Sequence, residues 1–301
     1  VSGQCYASEI AFAKAVELDR SGAPIEEVIQ QIGKATSSQI GSQSDIYYRN
    51  LSSAFLAQAR QTLASIPAEE LSNEQLQIVQ AMVGSSINAS VRATQLSPND
   101  VNSWSVNGSI YRDVMNFVTN AEDFAAATYE RAITLEPLNP AHHTNLGRVH
   151  LAVANRARTL KAAEDAELAK TAAEAEVASL SNAETAFKNA IQLKPDYASA
   201  HFYLAATFER QGRLVEAANR LAALRNVSPT DVGLGFQLSL LLLRLQEYDL
   251  ARAELERVVT LSPEYSNALW FLASTYEILG DQQKAIAVVE KVAELNSENE
   301  A

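Results

Sequence analysis

Leu193-Lys194-Pro195, Val227-Ser228-Pro229 and Leu261-Ser262-Pro263 repeat one phrase at intervals of 34 residues. Leu295-Asn296-Ser297 falls a further 34 on, with serine in the proline slot. A fixed period of this length marks an array of small supersecondary units, each stacked on its neighbours. Around the phrases the other slots keep register. One unit carries Leu204, Ala205, Phe208, Gly212, Ala217, Leu221 and Pro229. The next carries Leu238, Ser239, Leu242, Tyr248, Ala251, Leu255 and Pro263, and the third Leu272, Ala273, Tyr276, Gly280, Ala285, Val289 and Leu295. Small residues suit the points where two helices cross closely, and large ones fill the space beside them. Gly212 and Gly280 fall where one helix must turn into the next, because glycine takes up left-handed geometry cheaply. Proline ends each second helix or opens the link after it.

These slots resemble the tetratricopeptide repeat, a helix–turn–helix unit of this length. The resemblance implies an all-α, right-handed solenoid, with regular repeats over 198–231, 232–265 and 266–301. Upstream the register stretches. Residues 140–197 form a repeat with Leu146, Gly147, His150, Ala183, Phe187 and Ala190. Residues 101–139 form another, with Trp104, Gly108, Tyr111, Ala125, Tyr129 and Ala132. Residues 45–100 read as a divergent repeat, with Tyr47, Leu51 and Phe55 on one helix and Val79, Val83 and Ile87 on a longer one. Residues 1–44 read as an incomplete repeat, in which Phe12, Ala15 and Leu18 lie on a second helix without a first. Pro137 and Pro195 are 58 residues apart, one repeat plus 24. Arg148 to Lys194 holds no Gly or Pro and is rich in Ala, Glu and Lys, strong helix formers. Both helices there are expected to extend as an antiparallel hairpin turning within Thr159–Lys170. A protruding arm that touches a neighbour and a solvated spacer both fit this hairpin. The whole chain is expected to form one continuous solenoid.

Charge and composition exclude several classes. The net charge of −12 disfavours nucleic acid and anionic membrane surfaces. The run Leu240-Leu241-Leu242-Leu243 is far too short to span a bilayer, and no secretory signal pattern is present. The chain opens on Val1, which fits either a processed terminus or an excised fragment. Cys5 has no second cysteine to pair with. It reads as a partly buried thiol, with an intermolecular disulfide or attachment point as the alternative. His142, His143, His150 and His201 lack the cysteine or acidic spacing of a metal site. There is no phosphate-binding glycine loop and no nucleophile elbow. The expectation is a non-enzyme without cofactor or metal.

A finer resemblance rests on Tyr47-Tyr48-Arg49-Asn50-Leu51-Ser52, on the stretch from Trp104 to Asp113, and on the stretch from Asn139 to Arg148. These phrases resemble the C-terminal repeat region of O-antigen-ligase-like membrane proteins of candidate-phyla bacteria. The resemblance implies a bacterial source and an extracytoplasmic location, with a cytoplasmic one as the alternative. It carries no ligase activity, which belongs to a membrane part absent from this sequence.

The candidate site residues are apolar. In tetratricopeptide units the fifth position of the first helix faces the concave groove, and here it holds Phe202, Phe236 and Trp270, spaced by 34. Leu240 and Leu243 occupy other groove slots. Ser199, Ala206, Asn267 and Ser274 stand where a charged clamp for a terminal carboxylate would be. A bare apolar stripe of that width implies a partner, such as a helix laid in the groove. The competing reading tucks the rings into the core. At the chain ends, Phe12 and Leu18 together with Ile286, Val288, Val289 and Val292 suit head-to-tail packing between copies, in a ring or a filament. The functional expectation is a self-assembling protein scaffold outside the cytoplasm. The alternative is a binding module whose groove holds a segment of another protein.

Overall fold

The computed structural model describes residues 2–67, 71–162 and 165–298, with side chains between 6 and 295. Cys5, read above as a buried thiol, lies outside the described side chains. Fourteen α-helices and no strand occur among the described residues. They are α1 (Ser2–Arg20), α2 (Ile25–Thr36), α3 (Asp45–Ala64), α4 (Asn73–Leu96), α5 (Val101–Asp113), α6 (Ala121–Leu135) and α7 (Pro140–Leu160). Then come α8 (Ala166–Leu193), α9 (Ala198–Arg210), α10 (Leu214–Val227), α11 (Val232–Arg244), α12 (Tyr248–Leu261), α13 (Ser266–Ile278) and α14 (Gln282–Glu298). The fold is a solenoid of helical hairpins. The packing divides it into two compact units, Val1–Val153 and Ala154–Ala301, and the division falls inside α7.

In unit 1, α1 packs on α2, α3 on α4, and α5 on α6. In unit 2, α9 packs on α10, α11 on α12, and α13 on α14. Second helices then lean on the first helix of the next pair, as α10 does on α11 and α12 on α13. The turns joining α9 to α10, α11 to α12 and α13 to α14 have one construction. Gly212 and Gly280 are left-handed, at φ of 77° and 81°. The amide three positions past each helix end reaches back across the last turn, Arg213 to the Phe208 carbonyl and Asp281 to the Tyr276 carbonyl, both at 2.9 Å. This pairing satisfies carbonyls that the helix end leaves bare. The middle repeat places Gln246 in the same slot at φ 62°, with Glu247 bonded to the Leu242 carbonyl at 2.9 Å. A side chain is tolerated there because the neighbouring repeats impose the turn.

The same turn corrects the reading of residues 1–44. Gly22 is left-handed at φ 72°, and Ala23 donates to the Leu18 carbonyl at 3.0 Å. So Phe12 and Leu18 sit on a first helix, α1, and α2 supplies its mate. Both side chains pack with Ile25, Ile29, Tyr47 and Leu51 against a buried core of Ala15, Val28, Ile32 and Ala54. The Phe12 ring lies 4.6 Å from Tyr47. Both are partly buried in the hairpin's own packing.

The proline slots are tied back as well. Pro98 accepts from Trp104 Nε1 at 2.9 Å, and Pro195 from the His201 ring at 2.7 Å, each from a residue six further on. In the next repeat that residue is Gly235, which leaves a gap. Arg257 enters it, donates to the Pro229 carbonyl and pairs with Glu254. The long repeat is as expected in outline: α7 has 21 residues and α8 has 28, against 13 to 14 in the helices of the next two repeats. Its turn falls between Leu160 and Ala166, inside the expected window; residues 163–164 lie outside those described. Lys161 meets Glu176 of α8 at 2.8 Å.

Candidate functional site

In unit 2 the first helices α9, α11 and α13 each carry an aromatic ring at the fifth position, and the structure separates the three. Phe202 is 40% exposed and Trp270 58%, whereas Phe236 is 7% exposed. The next repeat explains the difference. Tyr265 and Phe271 close on Phe236, with ring centroids 4.9 and 5.8 Å away. The residues 34 positions earlier, in the same relation to Phe202, are Asp231 and Gln237. Neither is apolar. Asp231 caps α11 and accepts from the Leu234 amide at 2.9 Å. No aromatic ring of the following repeat therefore closes over Phe202.

The groove expectation is corrected accordingly. Phe236 belongs to a buried cluster with Leu255, Val258, Ala268, Leu272 and Tyr276, and Leu240 and Leu243 pack against it. Of the five expected groove residues, Phe236 is interior, Leu240 and Leu243 are partly buried, and Phe202 and Trp270 remain accessible. At α14, Val288 packs against the same cluster, Val292 is half-buried, and Ile286 and Val289 are exposed. On α1, the sequence reading passed over Tyr6 and Ile10, exposed at 67% and 51%. Their spacing of four was visible and puts them on one helix face.

The polar pair Asp231 and Gln237 leaves a cleft of about 490 Å³. Ser199, Phe202, Tyr203, Leu234, Gln237 and Tyr265 are among the residues that line it. Tyr203 is held in place from behind by Phe187, stacked at 5.7 Å and 15°. The cleft thus has aromatic walls, an apolar floor at Leu234, and a rim with Ser199 and Gln237. This is the make-up of a binding site for a side chain or short segment. Its one carboxylate is committed to the cap, and it holds no base–nucleophile pair.

Acidic and histidine side chains elsewhere join repeats together. Burial works to raise the Glu184 pKa, but hydrogen bonds from Lys188, Gln211 and Arg213 outweigh it and hold that carboxyl at about 2. Arg213 also pairs with Glu216 at 2.6 Å and lies over the Phe208 ring at 4.1 Å. Tyr276 is pushed up to about 12, by burial and by the hydrogen bond it donates to Glu256 at 2.7 Å. His142 is buried and bonded to Glu136 at 3.0 Å. Burial holds His143 and His150 below the usual imidazole range. His201 meets Arg220 at 3.1 Å besides its proline carbonyl. Among the described residues no three His, Cys, Asp or Glu groups converge as metal ligands.

With this geometry in place, the comparisons with known proteins bear on the repeats. The sequence profile of the tetratricopeptide repeat matches residues 176–228 and 236–300. A tetratricopeptide repeat protein from Parabacteroides merdae is similar in structure, with a TM-score of 0.58 at 12% identity, covering 96% of this chain and 93% of its own. MamA from Desulfovibrio magneticus is similar at a TM-score of 0.50 and 16% identity, over 67% of this chain and 97% of its own. At these identities the likeness is one of fold. No curated protein sequence matches the chain. Residues 176–228 and 236–300 therefore carry tetratricopeptide repeats, and stacked helices of this kind present extended surfaces.

Proposed function

We propose that unit 2 is a protein-binding module whose groove along α9, α11 and α13 receives an apolar segment of another protein. The observation that carries this reading is the uncovered Phe202 beside the aromatic-walled cleft, with Trp270 exposed in the same repeat slot. A large ring left in water gains about 1.5–3 kcal/mol when a partner buries it. Replacing both Phe202 and Trp270 with serine is expected to weaken partner binding about tenfold or more while helicity and melting temperature hold. A pull-down and titration with the captured partner reads this out. A double variant that binds undiminished, or that melts many degrees lower, would overturn the reading.

A second reading is self-assembly. It is favoured by two exposed apolar faces, Tyr6 with Ile10 on α1 and Ile286 with Val289 on α14. Here α1 of one copy docks on α14 of the next, a heterologous contact that grows into a ring or filament. Light scattering should then show mass rising with concentration, and Ile10→Ser or Ile286→Ser should abolish the rise. A strict monomer at high micromolar concentration removes this reading. For location, the resemblance to the repeat tail of O-antigen-ligase-like proteins supports a place outside the cytoplasm. Cell fractionation tests that directly. No helix among the described residues is long and apolar enough to cross a membrane.

A further inference from the structure

A second cleft of unit 2, also about 490 Å³, has the opposite character. Arg158 and Lys161 from the end of α7, Arg210 from the end of α9 and Arg244 from the end of α11 line it, with Glu176 and Glu209. Glu176 is paired with Lys161 at 2.8 Å, and Glu209 with Arg244. Arg158 and Arg210 are exposed and have no hydrogen bond or ion pair among the described residues. Four cations against two carboxylates leave a net charge of +2 here, in a chain whose net charge is −12. Cations at helix C-termini complement the helix dipole, which explains one at each end. It does not explain why three helix ends and the turn at Lys161 converge on a single open cleft. Two free guanidinium forks face that space, and a fork binds a carboxylate in two-pronged fashion.

The two clefts lie along the same helices. Glu209 follows Phe202 by seven positions, and Arg244 follows Gln237 by seven. Seven residues make two helical turns less about 20°, so each pair shares one face. From Phe202 to Arg210 is eight positions, about 12 Å along the axis, which about four residues of extended chain span.

We propose that the cationic cleft receives acidic side chains of the bound protein segment, placed about four residues from the apolar anchor that enters the cleft at Phe202. This rests on the groove reading above and names the chemistry of its partner: a segment with an aromatic or large aliphatic residue and a following acidic run. The remaining acidity of the chain repels such a segment only weakly at a distance, because charges farther apart than about 8–10 Å are screened at ordinary salt.

The test uses the full chain and three fluorescein-labelled synthetic peptides. One carries tryptophan, four glycine–serine residues and three glutamates. The second has glutamines for the glutamates, and the third serine for the tryptophan. Anisotropy titration should give the glutamate peptide about tenfold or more tighter binding than the glutamine peptide. The difference should shrink at about 0.5 M salt. It should vanish in R158A/R210A, which leaves the glutamine peptide's affinity unchanged, and return in part in R158K/R210K. Equal binding of the two peptides, or glutamate binding indifferent to R158A/R210A, overturns the inference. So does failure of every peptide to bind at millimolar concentration. The groove reading fails separately: if F202S leaves both tryptophan peptides unaffected while R158A/R210A abolishes glutamate binding, the acidic site stands and the apolar groove does not.

Discussion

Replacing Phe236 with alanine is expected to cost unit 2 about 3–5 kcal/mol of stability. The ring is buried against Leu255, Val258 and Leu272, and Tyr265 and Phe271 close over it. Alanine leaves a cavity that these neighbours, fixed in two adjacent hairpins, fill only in part. The rings at the same repeat slot behave differently. Phe202→Ala and Trp270→Ala should each cost about 1 kcal/mol or less, because those rings stand 40% and 58% exposed. Guanidinium unfolding, with amide exchange to locate the loss in α11 to α13, compares the three variants. Equal costs at all three positions would show that the rings share one environment.

Replacing Gly108 with alanine should destabilise unit 1 by about 1–3 kcal/mol, although alanine is the better helix former by about 1 kcal/mol. A Cβ on Gly108 of α5 meets the Tyr129 ring of α6 at 2.8, 2.9 and 3.0 Å. Tyr129 is 1% exposed, so the ring has nowhere to move. Valine should be worse. Gly33 of α2 and Gly84 of α4 provide the control, since a Cβ at either meets nothing within 4 Å. Alanine there should stabilise by about 0.5–1 kcal/mol. Thermal melts of the three alanine variants should move in opposite directions, and a stabilised Gly108→Ala protein would mean that α5 and α6 are not this close.

Much of the architecture was legible in the sequence because repeats force the same physical solution at a fixed interval. Gly212 and Gly280 announced their turns, and the proline phrases announced the ends of α8, α10 and α12. The long α7 and α8 followed from an Ala/Glu/Lys run without a breaker. The first pair was misread although Gly22 marks the same kind of turn, because Phe12 and Leu18 fit either helix of a hairpin when no register reaches them. The ladder was misread for another reason. Periodicity says which slot a ring occupies but not what the next repeat lays over it. That depends on Tyr265 and Phe271 in one case and on Asp231 and Gln237 in the other, so the comparison had to be made one repeat ahead. The cationic cleft was hidden because Arg158, Lys161, Arg210 and Arg244 come from three repeats. Only the spacing of 34 between Arg210 and Arg244 was available to suggest it.

The central claim is that the face of α9 and α13 bearing Phe202 and Trp270 contacts another protein. It is tested most directly by placing a photo-crosslinking amino acid at position 202, at 270, or at the control position 215. Val215 on α10 is 59% exposed and lies on a second helix. Irradiation in the cells that produce the protein, followed by mass spectrometry of the joined peptides, reads the contact. The account predicts one recurrent segment of another protein joined at both 202 and 270, apolar with acidic residues nearby, and no such product from 215. Products from 215 alone, or products from 202 and 270 that contain only further copies of this chain, would contradict it.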